Sequence, residues 1–244
     1  MIKERTAGVR SSRDYLRRLR STASQVWSSE ERTLSGFENP LATWNARFDR
    51  EDFLFGEEPN AFLRAQAHRL RPGGSVLCVA DGEGRNSVWL AEQGFAVTAF
   101  DFAPNGVAKA RRLAQRREVS VDHSIADIYD WPWTARYDAL VAVFIQFVPP
   151  ERREEVFAGM KSAVEPGGLF LLEGYRPEQV DYGTGGPPRR EHMYTRAWLE
   201  RQFSGWEVLL LESYDGVIRE GQAHNGMSAL IDLVARRQVT QAGT

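Results

Sequence analysis

"VLCVADGEGRNS", residues 76–87, decides how the rest of the chain is read. Its first five residues are apolar and suit a short buried strand. Asp81-Gly82-Glu83-Gly84 then makes a tight turn that feeds a helix. Gly82 and Gly84 lack Cβ atoms, so such a turn lets its backbone press against a nucleotide-like ligand. Two positions stand out. Cys78, where an acidic residue is expected, reads as a small core side chain, and Ala80 stands where a first glycine is expected. Alanine restricts φ to negative values, so the turn is expected to keep Ala80 in the β region.

Outward from this stretch, strands and helices alternate. "FAVTAFD" (95–101) reads as a strand followed by a helix over 104–118, and "VSVDHSIAD" (119–127) as a third strand. "YDALVAVFI" (137–145) is a nearly continuous apolar run, as a central parallel strand requires. A helix over 151–164 precedes the strand "LFLLEGY" (169–175). Residues 181–195 read as a loop, and Thr195 as the N-cap of a short helix reaching Phe203. Strands over 206–214 and 227–235 have no helix between them, which predicts a closing hairpin with one antiparallel strand. The fold class is α/β, a doubly wound, Rossmann-like sheet with helices on both faces.

Composition places no special demand on this reading. The 244 residues are 42% hydrophobic and 26% charged with a net charge of −2, so no global electrostatic attraction to nucleic acid exists. Residues 1–40 read as a basic, Ser-rich extension and 41–244 as the folded domain. No apolar run is long enough to span a membrane, and one cysteine allows no internal disulfide. The expectation is a cytoplasmic protein, monomeric or homodimeric, with no membrane association and with nucleic acid an unlikely partner. Four scattered histidines and one cysteine give no metal-ligand spacing, so no metal site is expected.

In a doubly wound sheet the ligand lies beyond the carboxyl ends of the strands, where strand order reverses. Asp101 falls 19 residues after Gly82, at the end of the second strand, placed to accept hydrogen bonds from ribose hydroxyls. Asp127 ends the third strand, where it and Ile128 would meet the edge and face of an adenine. Gly82-x-Gly84-x-x-Ser87 approaches a dinucleotide fingerprint. Yet a serine replaces the third glycine, and no second mononucleotide half follows. S-adenosylmethionine fits better than a nicotinamide dinucleotide.

With "WNARFDREDFLFGEEPNAFL" (44–63), "GEGRNSVWLAEQGFAVTAFD" (82–101), "EGYRPEQVDYGTGGP" (173–187) and "EGQAHNGMSALIDLVA" (220–235), the chain resembles class I S-adenosylmethionine-dependent methyltransferases. More narrowly, it is similar to the bacterial group of tellurite-resistance and thiol methyltransferases. The resemblance implies a seven-stranded sheet with an antiparallel last strand. It also implies cofactor contacts at Gly82, Gly84, Arg85, Asn86, Asp101, Phe102, Asp127 and Ile128; Ala80, Asp81 and Phe144 complete the candidate set. Many members carry a histidine where this chain has Gln146.

Methyl transfer from a sulfonium requires mainly that donor and nucleophile be held in line and kept from water. A base is needed only for a nucleophile that arrives protonated. His224, in the Glu220-Gly221-x-x-His224 turn, and Gln146 are the candidate catalytic residues. Trp44, Phe48, Phe55, Phe147, Tyr175 and His192 are the candidate substrate contacts, with Phe53 as a further aromatic and cation–π contact to the sulfonium in view. Arg176, Arg189 and Arg190 flank the long loop and read as solvated charge or, alternatively, as an anion site. The expected function is methyl transfer from S-adenosylmethionine to a small thiol, chalcogen oxyanion, or O- or N-acceptor, leaving S-adenosylhomocysteine. The alternatives are a non-catalytic adenosyl-binding protein, a nicotinamide-dependent oxidoreductase, and a nucleic-acid methyltransferase using the basic N-terminus.

Overall fold

The computed structural model describes residues 39–239. The extension expected over residues 1–40 therefore lies almost wholly outside the described residues. Seven strands form one sheet: β1 (Ser75–Val79), β2 (Ala96–Asp101), β3 (Asp122–Ile125), β4 (Tyr137–Val143), β5 (Val164–Tyr175), β6 (Trp206–Glu220) and β7 (His224–Arg237). Their order is β3-β2-β1-β4-β5-β7-β6. β1 to β5 pair in parallel, whereas β7 runs antiparallel to both β5 and β6.

The period of two along each strand explains the core. In β1, Leu77 and Val79 join an apolar cluster with Leu140, Phe157, Phe170 and Leu233 on one face. Val76 and Cys78 join Leu63, Leu90, Val141 and Leu171 on the other. Both faces of the central strands are thus covered by helices, as their unbroken apolar runs require. The helices are α1 (Pro40–Arg47), α2 (Ala61–Gln66), α3 (Arg85–Glu92), α4 (Pro104–Arg116), α5 (Pro150–Ser162), α6 (Gln179–Tyr182) and α7 (Arg196–Gln202). Asn39, Asn60 and Thr195 cap α1, α2 and α7 through their side chains. Proline opens α1, α4 and α5, where its missing N–H costs nothing. No helix among the described residues is long and apolar enough to cross a membrane.

Two strand expectations shift. β3 is shorter than residues 119–127, because Glu118 turns left-handed (φ +56°) and the Val119 N–H bonds to the Ala114 carbonyl. Those residues close α4 instead of entering the sheet. β6 and β7 are longer than expected, since Glu220 pairs directly with His224 across a three-residue turn. Within them, Asp215, Gly216, Arg219 and Gly226 interrupt the apolar alternation that would have shown the strands' full length.

Candidate active site

Strand order reverses between β1 and β4, and a cleft of about 600 Å3 opens above their carboxyl ends. It is lined on one side by Ala80, Asp81, Gly82, Arg85 and Asn86, and on the other by Val143, Phe144, Phe147 and His224. The turn works through close approach. A Cβ on Gly84, at φ +90°, would stand 2.6 Å from the Ala110 Cβ, so glycine is needed for α3 and α4 to meet. Ala80 departs from expectation: its φ is +50°, not negative. The chain forces an alanine into the left-handed region that glycine would occupy freely.

Asp101 closes β2 and joins the turn to the cleft. Its carboxylate accepts from the N–H groups of Gly82 (3.0 Å) and Ala103 (2.8 Å). A carboxylate has about four acceptor positions, so capacity remains for two hydroxyls from the cleft. Burial raises its pKa to about 6, against these two hydrogen bonds. Burial likewise lifts Asp81 to about 7, although it accepts from the Ser87 hydroxyl and N–H. Past Asp101 the cleft continues into a recess between Phe102, Phe147, Asp127 and Ile128. An apolar slot with a carboxylate at its edge, next to a buried carboxylate and a glycine turn, matches the adenine, ribose and amino-acid parts of an adenosyl-methionine ligand. The residues present therefore fit S-adenosylmethionine.

A cover closes the cleft from the N-terminal side. α1 and residues 48–56 lay Trp44, Phe48 and Phe55 over the glycine turn, with Phe48 packed against Gly82. Glu83, between the two glycines, holds this cover: its carboxylate accepts from the Leu54 N–H at 2.8 Å and pairs with Lys109 at 2.5 Å. Lys109 in turn donates to the Asp52 carbonyl. Both Glu83 and Lys109 side chains are 2% exposed. On the far side, a Cβ on Gly221 would stand 2.4 Å from the Leu54 carbonyl oxygen, so the hairpin turn also fits against the cover. Arg85 completes the seam through Glu220, at 2.7 Å. Glu83, Lys109 and Glu220 carry no signal in the sequence that distinguishes them from surface charge.

Next to the cofactor cleft lies a second chamber of about 580 Å3, which shares Trp44, Phe55, Phe144, Phe147 and His224 with it. His224 stands 4.4 Å, ring to ring, from Phe144 and 4.5 Å from Phe55. Burial lowers its pKa, partly offset by Glu220, whose carboxylate lies 4.0 Å from Nδ1. Phe144 adopts φ +54°, a second strained backbone placed directly at the site.

Trp44, Phe55, Phe147, Tyr175, Gln146 and His224 therefore meet around the second chamber, and Phe48 lines the cofactor cleft. Three candidates have further contacts of their own. Gln146 lines the second chamber and has its amide bound on both sides to the Tyr175 backbone, donating at 2.7 Å and accepting at 2.9 Å, which fixes the end of β5. His192 is buried against the Gln146 carbonyl, at 3.2 Å, and lines neither cavity. Phe53 faces away and packs beneath Lys109 and Arg116. The loop arginines are engaged in ion pairs, Arg176 with Asp215, Arg190 with Asp181 and Arg189 with Glu191. Among the described residues, no group of three or more His, Cys, Asp or Glu side chains is arranged to hold a metal ion.

Comparison with known proteins agrees with this geometry. Residues 76–168, from β1 into β5, match the family model described as a methyltransferase domain. Glycine/sarcosine N-methyltransferase of Parasynechococcus marenigrum (strain WH8102) is 32% identical over 143 residues, 54% of this chain and 46% of that protein. The probable S-adenosyl-L-methionine-dependent methyltransferase TehB of Haemophilus influenzae is 29% identical over 98 residues, 40% of this chain and 34% of that one. The chain thus spans about half or less of these curated relatives. The crystal structure of TehB superposes with a TM-score of 0.63 at 20% identity, covering 73% of this chain and 62% of TehB. N-methyltransferase NodS of Bradyrhizobium japonicum WM9, in complex with S-adenosyl-L-homocysteine, superposes at 0.60 with 13% identity, covering 81% and 97%. Residues 76–168 thus match a methyltransferase domain, and the chain is similar to S-adenosylmethionine-dependent methyltransferases in sequence and in fold. Within that class it resembles TehB.

Proposed function

We propose that the chain transfers a methyl group from S-adenosylmethionine to a small-molecule acceptor held in the second chamber. One observation carries this reading: the cofactor cleft and the chamber share a wall at Phe144 and His224, so two ligands can meet there. Asp101 would hold the ribose hydroxyls, Asp127 and Ile128 the adenine, and the 80–86 turn the amino-acid end. The bound cofactor supplies an electrophilic methyl on a sulfonium, which leaves as the carbon–sulfur electron pair stays on sulfur. The chain's own contribution is to position, to exclude water beneath the Trp44–Phe55 cover, and to accept a proton. His224 suits the last task, because burial keeps its imidazole neutral and ready to accept near neutral pH.

The test is a methylation assay on a panel of thiols, oxyanions, phenols and amines, with S-adenosylhomocysteine affinity measured in parallel. His224→Ala is expected to lower turnover more than tenfold with a smaller loss of cofactor affinity. Cofactor binding without turnover on any acceptor would favour a purely adenosyl-binding protein.

A further inference from the structure

The second chamber has the walls of a site for a flat ring. Trp44, Phe55, Phe147 and Tyr175 surround it, and Gly185-Gly186-Pro187 form a side made largely of backbone. Among the described residues, the hydroxyl of Tyr175 has no hydrogen-bond partner, and Nδ1 of His224 has only the Glu220 carboxylate, 4.0 Å away. Tyr175 and His224 are 1% and 8% exposed, so solvent does little to satisfy them. Buried polar groups are normally paired, and both residues line the chamber, so a ligand oxygen there would pair the phenol beside the imidazole. Burial keeps the His224 ring neutral and pushes the Tyr175 phenol up, so the first accepts a proton and the second donates a hydrogen bond.

Charge narrows the class further. Arg47 lines the same chamber with its guanidinium 4.3 Å above the Trp44 ring. It is half-buried, burial shifts its pKa, and no carboxylate among the described residues forms an ion pair with it. An unneutralised arginine over an aromatic wall is a partner for an anionic substituent on a stacked ring. Glycine and an oxyanion are too small and too strongly hydrated to use these walls.

We infer that the acceptor is a planar hydroxyaromatic acid, its hydroxyl held between His224 and Tyr175 and its acidic substituent facing Arg47. This rests on the methyltransferase reading above. In the transfer, a lone pair of the hydroxyl oxygen forms the bond to the methyl carbon as the carbon–sulfur bond breaks with its pair left on sulfur. The hydroxyl proton passes to the imidazole of His224 and from there to solvent.

Calorimetric titration of the protein loaded with S-adenosylhomocysteine tests the inference by binding alone. The probes are 6-hydroxy-2-naphthoate, 2-naphthol, glycine and tellurite. The hydroxynaphthoate is expected to bind at least tenfold more tightly than 2-naphthol, and Arg47→Gln to abolish that difference. Tyr175→Phe should weaken both aromatic probes about tenfold and change S-adenosylhomocysteine affinity less than twofold. Refusal of both aromatics, or tighter binding of glycine or tellurite, by a protein that binds S-adenosylhomocysteine would overturn the inference alone. Failure to bind S-adenosylhomocysteine would overturn the methyltransferase reading and the inference together.

Discussion

Ala80 holds φ +50° at the mouth of the cofactor cleft, where a left-handed backbone costs an alanine about 1–2 kcal/mol. Glycine removes that strain and returns part of the gain as unfolded-chain entropy. Ala80→Gly is therefore expected to raise stability by about 0.5–1 kcal/mol in denaturant unfolding; a loss would mean the methyl packs better than the backbone suffers. Asp101 is a stronger test of the cofactor reading. In the proposed site, ribose hydroxyls would donate to the ionised carboxylate, whose pKa is raised to about 6. Affinity for S-adenosylhomocysteine should accordingly fall as pH drops below about 6, and Asp101→Asn should flatten that dependence in titrations at pH 5 and 7.5. For His224, burial lowers the pKa while Glu220 raises it and Arg85 and Arg47 lower it. With the base already neutral below its ordinary range, turnover is expected to rise with pH on the acid side and stay level through neutrality.

Among the elements, the cover over the cleft depends on a contact made by side chains 26 positions apart in sequence. Glu83 and Lys109 are both buried, and Glu83 also accepts from the Leu54 N–H. Removing one partner of a buried pair leaves the other charge without compensation, at a cost of about 3–5 kcal/mol. Glu83→Gln should lower the melting temperature and open residues 48–56 to proteolysis; equal protection would detach Glu83 from the cover. In the sequence such residues look like surface charge, because their partners are set by how α4 meets the glycine turn. The elements themselves were far more legible. The apolar runs of β1 and β4, the acids closing β2 and β3, and the absence of a helix between β6 and β7 each have a local physical cause. His192 reads in the sequence as a substrate contact, and three-dimensional packing turns it to the Gln146 carbonyl, while Gln146 lines the second chamber with its amide bound to the Tyr175 backbone.

At the scale of the whole fold, buried carboxyls with raised pKa values govern the response to pH between about 6 and 8 among the described residues. Burial raises Asp81 and Asp232 to about 7, and Glu173, adjacent to Asp232 across β5 and β7, is raised as well. A carboxyl with a raised folded-state pKa stabilises the fold at low pH and loses that contribution as pH rises through the raised value. His123, lowered to about 4, and His224 act in the opposite direction, but their effect is complete by the ordinary histidine pKa near 6.5. The ligand-free protein is thus expected to melt at a lower temperature at pH 8 than at pH 6; a higher one would show that these acids are ionised in the fold. The glycine turn and the two strand-end acids line adjoining parts of one cleft, where S-adenosylmethionine is proposed to bind. Calorimetric titration with S-adenosylhomocysteine and with NAD, on the native chain and on Asp101→Ala, tests that proposal most directly. One S-adenosylhomocysteine is expected to bind per chain, with affinity reduced about 30- to 150-fold in the variant, the equivalent of about 2–3 kcal/mol for two hydroxyls left without their acceptor. Tight binding of NAD with no binding of S-adenosylhomocysteine would contradict it.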